Sequence, residues 1–264
     1  MKISPVRSRS LGPILDPAGE AAIKRMLSYV NIAQMRDRSL KQFLKSTIAL
    51  TLVACASYES SDDGARRPKG FKALDVYAPE IKFESPYATA ENFLGRVVRS
   101  YEKGARCWLV DAAAAALKNA QRELSEQGLK LRLFDCYRPQ TAVDDFVVWS
   151  RNPHAQDTKV RYYPNVEKRF LFREGYIASR SGHSRGATVD LTIEGLDMGG
   201  EFDYFDPSSR TDTTQISLKA RSNRLKLQAL MDRYGFDNLP EEWWHYTLRD
   251  EPYPSSYFDF PLKK

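Results

Sequence analysis

Two short segments hold residues that could do chemistry together: Ser181-Gly-His-Ser-Arg-Gly-Ala-Thr-Val-Asp190 and Glu242-Trp-Trp-His245. The chain has only three histidines, and two of them lie here, each close to a carboxylate. His183, Asp190 and His245 make a set of imidazole, carboxylate and imidazole. Hydrolytic zinc sites take three protein ligands of this kind and keep a fourth position for water. Glu242, three residues before His245, is left over as a carboxylate able to take a proton from that water. Arg138, in Asp135-Cys-Tyr-Arg-Pro139, is a fixed cation suited to an oxyanion. The spacing differs from His-Glu-x-x-His, so this is not the helical metalloprotease arrangement. Taken singly, each segment reads more readily as structural. The joint pattern, with both sparse histidines, two acids and glycines beside the first ligand, reads as a site for one zinc per chain. The third histidine, His154, sits in a polar loop and reads as a surface residue.

These residues need elements to position them. Ala187–Ile193 is β-prone and carries Asp190 in mid-run between Val189 and Leu191. An acid flanked by apolar residues in a strand is costly to bury without a partner, and a metal supplies one. His183–Gly186 reads as the tight turn entering that strand. Trp243–Leu248 is aromatic and β-branched, which predicts a second strand. Strict alternation would set Glu242 and His245 on opposite faces, so Glu242 belongs to the turn before that strand, after Pro240. Leu129–Tyr137 predicts a strand leading to Arg138.

Three helices are expected. The first runs over Asp111–Gln127, capped by Asp111, with Leu117, Ala120 and Leu124 on one face and Gly128 as its stop. The second covers Pro139–Trp149, with proline in its first turn. The third is amphipathic over Ser217–Tyr234 through Leu227, Leu230, Met231 and Tyr234, and Gly235 ends it. Strands and helices do not alternate regularly. That favours an α+β fold with a central antiparallel sheet flanked by helices.

The 264 residues, 42% of them hydrophobic, suffice for one good-sized core. The formal charge of +6 raises the question of nucleic acid. Residues 1–54, however, hold nine of the 40 basic and three of the 34 acidic residues, which leaves 31 of each for the remainder. The excess lies in the front of the chain and not in the folded body, which argues against a nucleic-acid partner.

Tyr87-Ala-Thr-Ala-Glu-Asn-Phe93, Asp135–Pro139, Ser181–Asp190, Met198-Gly-Gly-Glu-Phe-Asp203, Glu242–Tyr246 and the tail Arg249–Pro261 together resemble the zinc D-alanyl-D-alanine dipeptidases, the group containing the vancomycin-resistance dipeptidase. The resemblance runs from about Tyr87 to the C-terminus. The ligand pattern alone is shared with a wider superfamily of D,D-carboxypeptidases and hedgehog-like domains. The resemblance implies a zinc metallopeptidase domain that hydrolyses D-Ala-D-Ala to D-alanine in peptidoglycan metabolism. It makes His183, Asp190 and His245 the zinc ligands, Glu242 the general base and proton donor, and Arg138 the stabiliser of the tetrahedral intermediate. Tyr87, Ser181 and Asp203 match positions that line the substrate pocket. Departures from the family pattern are Ala90 where an aromatic is usual, Cys136 beside the arginine, and a shorter connection from Asp190 to Met198. Two other readings share these residues. One is a zinc D,D-carboxypeptidase acting on longer muropeptides, which needs an open cleft. The other is a non-catalytic zinc or peptidoglycan-binding module, against which the spare Glu242 argues. The sequence does not distinguish glycopeptide resistance from wall recycling or nutrient use.

The front of the chain reads as a targeting segment, with residues 1–55 as leader, 56–70 as tether and 71–264 as the catalytic domain. Met35–Lys45 is basic, and Ser46–Ala54 is uncharged but too short to span a bilayer. Leu52-Val-Ala-Cys55 resembles a bacterial lipobox, in which the cysteine is lipidated, and a hydrophilic stretch over Ser57–Gly64 follows. Ala56 resembles outer-membrane sorting. Residues 1–34 precede this signal without resembling part of one, which leaves Met35 as the true start or an unusually long n-region as the two readings. The expectation is a periplasmic protein held to a membrane only through Cys55, with a cytoplasmic protein as the alternative. In an oxidising compartment Cys107 and Cys136 would be either a disulfide or two buried thiols, and the sequence leaves both open.

Overall fold

The computed structural model describes residues 66–263. The leader, the lipobox at Cys55 and residues 56–65 of the tether lie outside the described residues. Two sheets form. β1 (Phe71–Ala73) pairs antiparallel with β3 (Trp108–Val110). The larger sheet has the order β2-β4-β5-β7-β6, built from β2 (Lys82–Phe83), β4 (Leu131–Asp135), β5 (Thr188–Ile193), β6 (Phe236–Asn238) and β7 (His245–Leu248). All of its pairings are antiparallel except the two-residue edge pair β2–β4. The expected α+β architecture is therefore present, with one parallel edge. No helix among the described residues is long and apolar enough to cross a membrane.

Helix α1 (Asp111–Ser125) buries Ala113, Leu117, Ala120 and Leu124. These recur at helical spacing, and each buried leucine contributes roughly 1.5–3 kcal/mol. Asp111 is its first residue rather than its cap: β3 runs straight into the helix, so the cap position falls on Val110. Helix α2 (Gln140–Arg151) starts after Pro139, which stands one position before the first turn instead of inside it. Helix α3 (Leu218–Arg233) is capped by Ser217, whose hydroxyl accepts from the Ala220 amide at 3.1 Å.

Two strands are shorter than expected. β4 stops at Asp135 because the backbone beyond it serves other elements: the Tyr137 amide donates to Trp108 and the Arg138 amide to His183. β7 starts at His245 rather than Trp243, because the Trp243 amide donates to Ser209 in a neighbouring loop.

Cys107 and Cys136 are joined in a disulfide, with Cα atoms 5.4 Å apart. It ties the residue before β3 to the residue after β4. The aromatic tail is core packing and not a free stripe: Phe260 and Leu262 are buried, and Phe258 and Phe260 stack edge-on against Phe71.

Candidate active site

Three neighbouring strand positions build the floor of the site. In the register of the sheet, Asp135 of β4 stands opposite Asp190 of β5, and Asp190 stands opposite His245 of β7. Directly opposed residues point to the same face, so a row of acid, acid and imidazole forms across three strands. A register irregularity between Leu133 and Asp135 brings the last β4 residue into that row.

The fourth member comes from the turn before β5. Gly182–Arg185 is a 3₁₀ turn capped by Ser181, whose hydroxyl accepts from the His183 amide at 3.3 Å. Gly186 closes it at φ 81°, and a Cβ there would lie 2.3 Å from the Phe71 ring. Only glycine fits both constraints. The turn drops His183 beside Asp190, with Nε2 3.2 Å from Asp190 Oδ2 and 3.4 Å from His245 Nδ1. His245 Nδ1 is 3.1 Å from Asp190 Oδ1.

One ligand atom from each of His183, Asp190 and His245 can be chosen so that all lie within 4.8 Å of one another. The donor chemistry fits a metal. His183 Nδ1 lies 2.7 Å from the Cys136 carbonyl, which can only accept; that nitrogen therefore carries the proton, and the Nε2 lone pair faces the site. Asp190 Oδ1 is buried without an aligned hydrogen-bond donor. Burial opposes ionisation of Asp190, but the two imidazoles outweigh it and hold its carboxyl well below the usual range. A buried carboxylate oxygen lacking a donor, converging with two imidazole nitrogens, is a donor set suited to zinc.

Glu242 lies in the turn ahead of β7, as alternation requires. Asn238, at the end of β6, donates to the carbonyls of both Glu242 and His245 and clamps that turn. Glu242 Oε2 is 3.4 Å from His245 Nδ1, and its side chain keeps 16% exposure. Burial pushes its carboxyl up to about 7, against the opposing pull of His245.

Arg138 is buried beside the ligand cluster. Its Nε donates to Asp135 at 2.8 Å, and one terminal nitrogen is 3.5 Å from Asp190 Oδ2. Tyr101 donates to the other oxygen of Asp135 at 2.6 Å. Burial works against the cation, yet Tyr87 and the Asp135 and Asp190 carboxylates outweigh it, so Arg138 stays charged. Asp203 is buried and accepts from the Tyr87 hydroxyl at 2.8 Å. Burial and the nearby Asp190 carboxylate push Asp203 well above the ordinary carboxylate range, with the Tyr87 donor opposing.

A cavity of about 220 Å³ joins these groups: the ligand set, Glu242 and Arg138 line it, as do Tyr87, Ser181 and Asp203. It is smaller than the roughly 300–1,000 Å³ of pockets that take drug-sized molecules. All eight residues singled out in the sequence thus face one space, while His154 is exposed elsewhere. Sequence reasoning assigned no role to Asp135, which grips Arg138, nor to Tyr176, Ile177, Ala178, Arg180 and Phe146, which wall the cavity. An acid three residues before a buried arginine was the available signal for Asp135.

The fold and site define a metallopeptidase-type hydrolase centre. A family model described as D-ala-D-ala dipeptidase matches residues 67–263, and the chain belongs to that family. A D-alanyl-D-alanine dipeptidase of Enterococcus faecium is 42% identical over 200 residues, covering 74% of this chain and 98% of that protein. One of Streptomyces coelicolor is 43% identical over 198 residues, covering 73% and 98%. One of Escherichia coli is 33% identical over 189 residues, covering 70% and 86%.

Proposed function

We propose that this protein is a zinc-dependent dipeptidase that hydrolyses free D-Ala-D-Ala to two molecules of D-alanine. The observation that carries the reading is the single small cavity shared by a three-ligand metal set, a spare carboxylate and a buried acid with a tyrosine partner. His183, Asp190 and His245 hold the zinc. When bound, zinc supplies Lewis acidity toward the scissile carbonyl and lowers the pKa of water to about 7. Glu242 takes a proton from the attacking water and returns it to the leaving amine. Arg138, kept in place by Asp135, sets its positive charge against the oxyanion that attack creates. Asp203 and Tyr87 receive the α-ammonium of the dipeptide, and Ser181 lines the rim beside His183.

The ammonium partner makes free dipeptide the substrate rather than a muropeptide. An N-acylated peptide lacks the cation that would hold Asp203 in its ionised form, and it adds bulk where the ammonium would sit. Free D-Ala-D-Ala is expected to show a far higher kcat/KM than N-acetyl-D-Ala-D-Ala. Asp203→Asn is expected to erode that preference chiefly by slowing the free dipeptide. Equal kcat/KM for the free and blocked substrates would reject the dipeptidase reading in favour of a D,D-carboxypeptidase.

The protein is further proposed to be exported and lipid-anchored through Cys55. The Cys107–Cys136 disulfide supports this, since such bonds persist in oxidising compartments. Wild-type protein expressed in a Gram-negative host is expected in the membrane fraction, and Cys55→Ser in the soluble or uncleaved precursor fraction. A wild-type protein recovered in the cytoplasm with an unmodified Cys55 would contradict the proposal.

A further inference from the structure

Arg224 of α3 is fully buried, and its hydrogen bonds go to backbone carbonyls alone. Nε donates to Met198 at 2.6 Å, and one terminal nitrogen donates to both Ser208 and Arg210 at 2.8 Å. The other terminal nitrogen is buried with no partner. Burial lowers the pKa of this guanidinium to about 10. A cation desolvated without a carboxylate is an expensive way to fill a helix face that also buries Leu227 and Met231. An apolar side chain would fill it at lower cost, so the three carbonyls explain the arginine better than packing does.

Those carbonyls belong to the two ends of one loop, residues 198–210. Apart from one 3₁₀ turn at Pro207–Ser209 the loop has no regular structure of its own. Asp203 sits in its middle at φ 60°, in the left-handed region that is uncommon for non-glycine residues but entered by aspartate more readily than by most. The C-terminal end of the loop also meets the turn that carries Glu242. The Trp243 amide donates to Ser209, the Thr211 amide donates to Pro240, and the Arg224 guanidinium lies 5.6 Å from the centre of the Trp243 ring. Arg224 therefore holds the carbonyls on either side of Ser209, while the residue after Glu242 holds that of Ser209. The loop comes close to α3 at Gly199, where a Cβ would lie 2.9 Å from Ala220 of the helix and from Ile216 just before it.

We infer that Arg224 is a positioning residue that sets the spacing between Asp203 and the Glu242 and metal-ligand centre, and thereby the length of peptide that is cleaved. The inference rests on Asp203 as the partner of the substrate ammonium. In a dipeptide that ammonium and the scissile carbonyl belong to the same residue, separated only by its Cα, so the spacing tolerates little error. Arg224 touches no substrate; it acts by gripping both ends of the loop that carries Asp203.

Arg224→Lys retains the charge, but a single ammonium cannot replace the guanidinium fork across three carbonyls. The experiment measures kcat and KM for free and N-acetylated D-Ala-D-Ala, with zinc content and near-UV circular dichroism as checks on folding. For Arg224→Lys the ratio of kcat/KM between the free and blocked substrates is expected to fall about tenfold to a hundredfold, mainly through KM for the free dipeptide, with zinc content unchanged. If that variant fails to fold, Arg224→Gln decides. Its neutral amide carries no desolvated charge and offers two donors to three carbonyls, and the same ratio is expected to fall in the same direction. A wild type without preference for the free dipeptide would reject the Asp203 reading itself. A wild type with that preference, and a deciding variant that keeps it or slows both substrates in equal proportion, would overturn the role of Arg224.

Discussion

Replacing His245 with alanine is expected to remove both the bound metal and the activity. In the proposed site the residue would supply one of three ligands, and the other two would not close a site alone. His183 is fixed by the Cys136 carbonyl, and Asp190 is fixed by its place in mid-strand, so neither can move to make up a missing donor. Losing an outer partner of a metal ligand already costs about 10–100-fold in metal affinity or activity, and losing the ligand itself costs more. Metal analysis after gel filtration checks this. The wild type is expected to hold one zinc per chain and His245→Ala none, with turnover at background. The fold should persist, because His245 stands at the start of β7 with its side chain in the cavity rather than in the core. A His245→Ala protein that retains a full equivalent would remove this residue from the ligand set.

Glu242→Gln separates metal binding from proton transfer. Its carboxylate is no member of the ligand cluster, and glutamine keeps its size and its place in the turn. The variant should therefore hold one zinc. General-base catalysis contributes about 10²–10⁴-fold, and a glutamine amide cannot take the proton, so kcat is expected to fall by about that factor with KM changed little. A metal-replete Glu242→Gln enzyme running near the wild-type rate would take Glu242 out of the mechanism. Loss of metal from the same variant would instead make Glu242 a ligand.

The clustering of His183, Asp190 and His245 was legible because histidine is rare in this chain and because a carboxylate in mid-strand at Asp190 demands a partner. Glu242 was legible from strand alternation, which forced it into the turn. The family resemblance rested on motifs dispersed from Tyr87 to the tail, and it alone picked out the pocket residues Tyr87, Ser181 and Asp203. The register that sets Asp135, Asp190 and His245 side by side was not legible. It joins strands separated by more than fifty residues, and the β4 irregularity that admits Asp135 carries no local sequence mark. The edge strands β2 and β6 are two and three residues long, too short for any periodicity to show. Arg224 was hidden for another reason. It lies three residues before Leu227 on the buried stripe of α3, where an amphipathic reading follows the leucines and leaves the arginines to solvent. The disulfide depended on a helix packing back onto the following strand, a distance that spacing does not give.

The most direct measurement of the central claim is D-alanine release from free D-Ala-D-Ala by the purified protein before chelation, after removal of metal, and after return of one equivalent of zinc. The expected result is turnover that disappears with the metal and is restored at one zinc per chain. Turnover unaffected by metal removal, or a zinc-loaded and folded protein that releases no D-alanine, would contradict it.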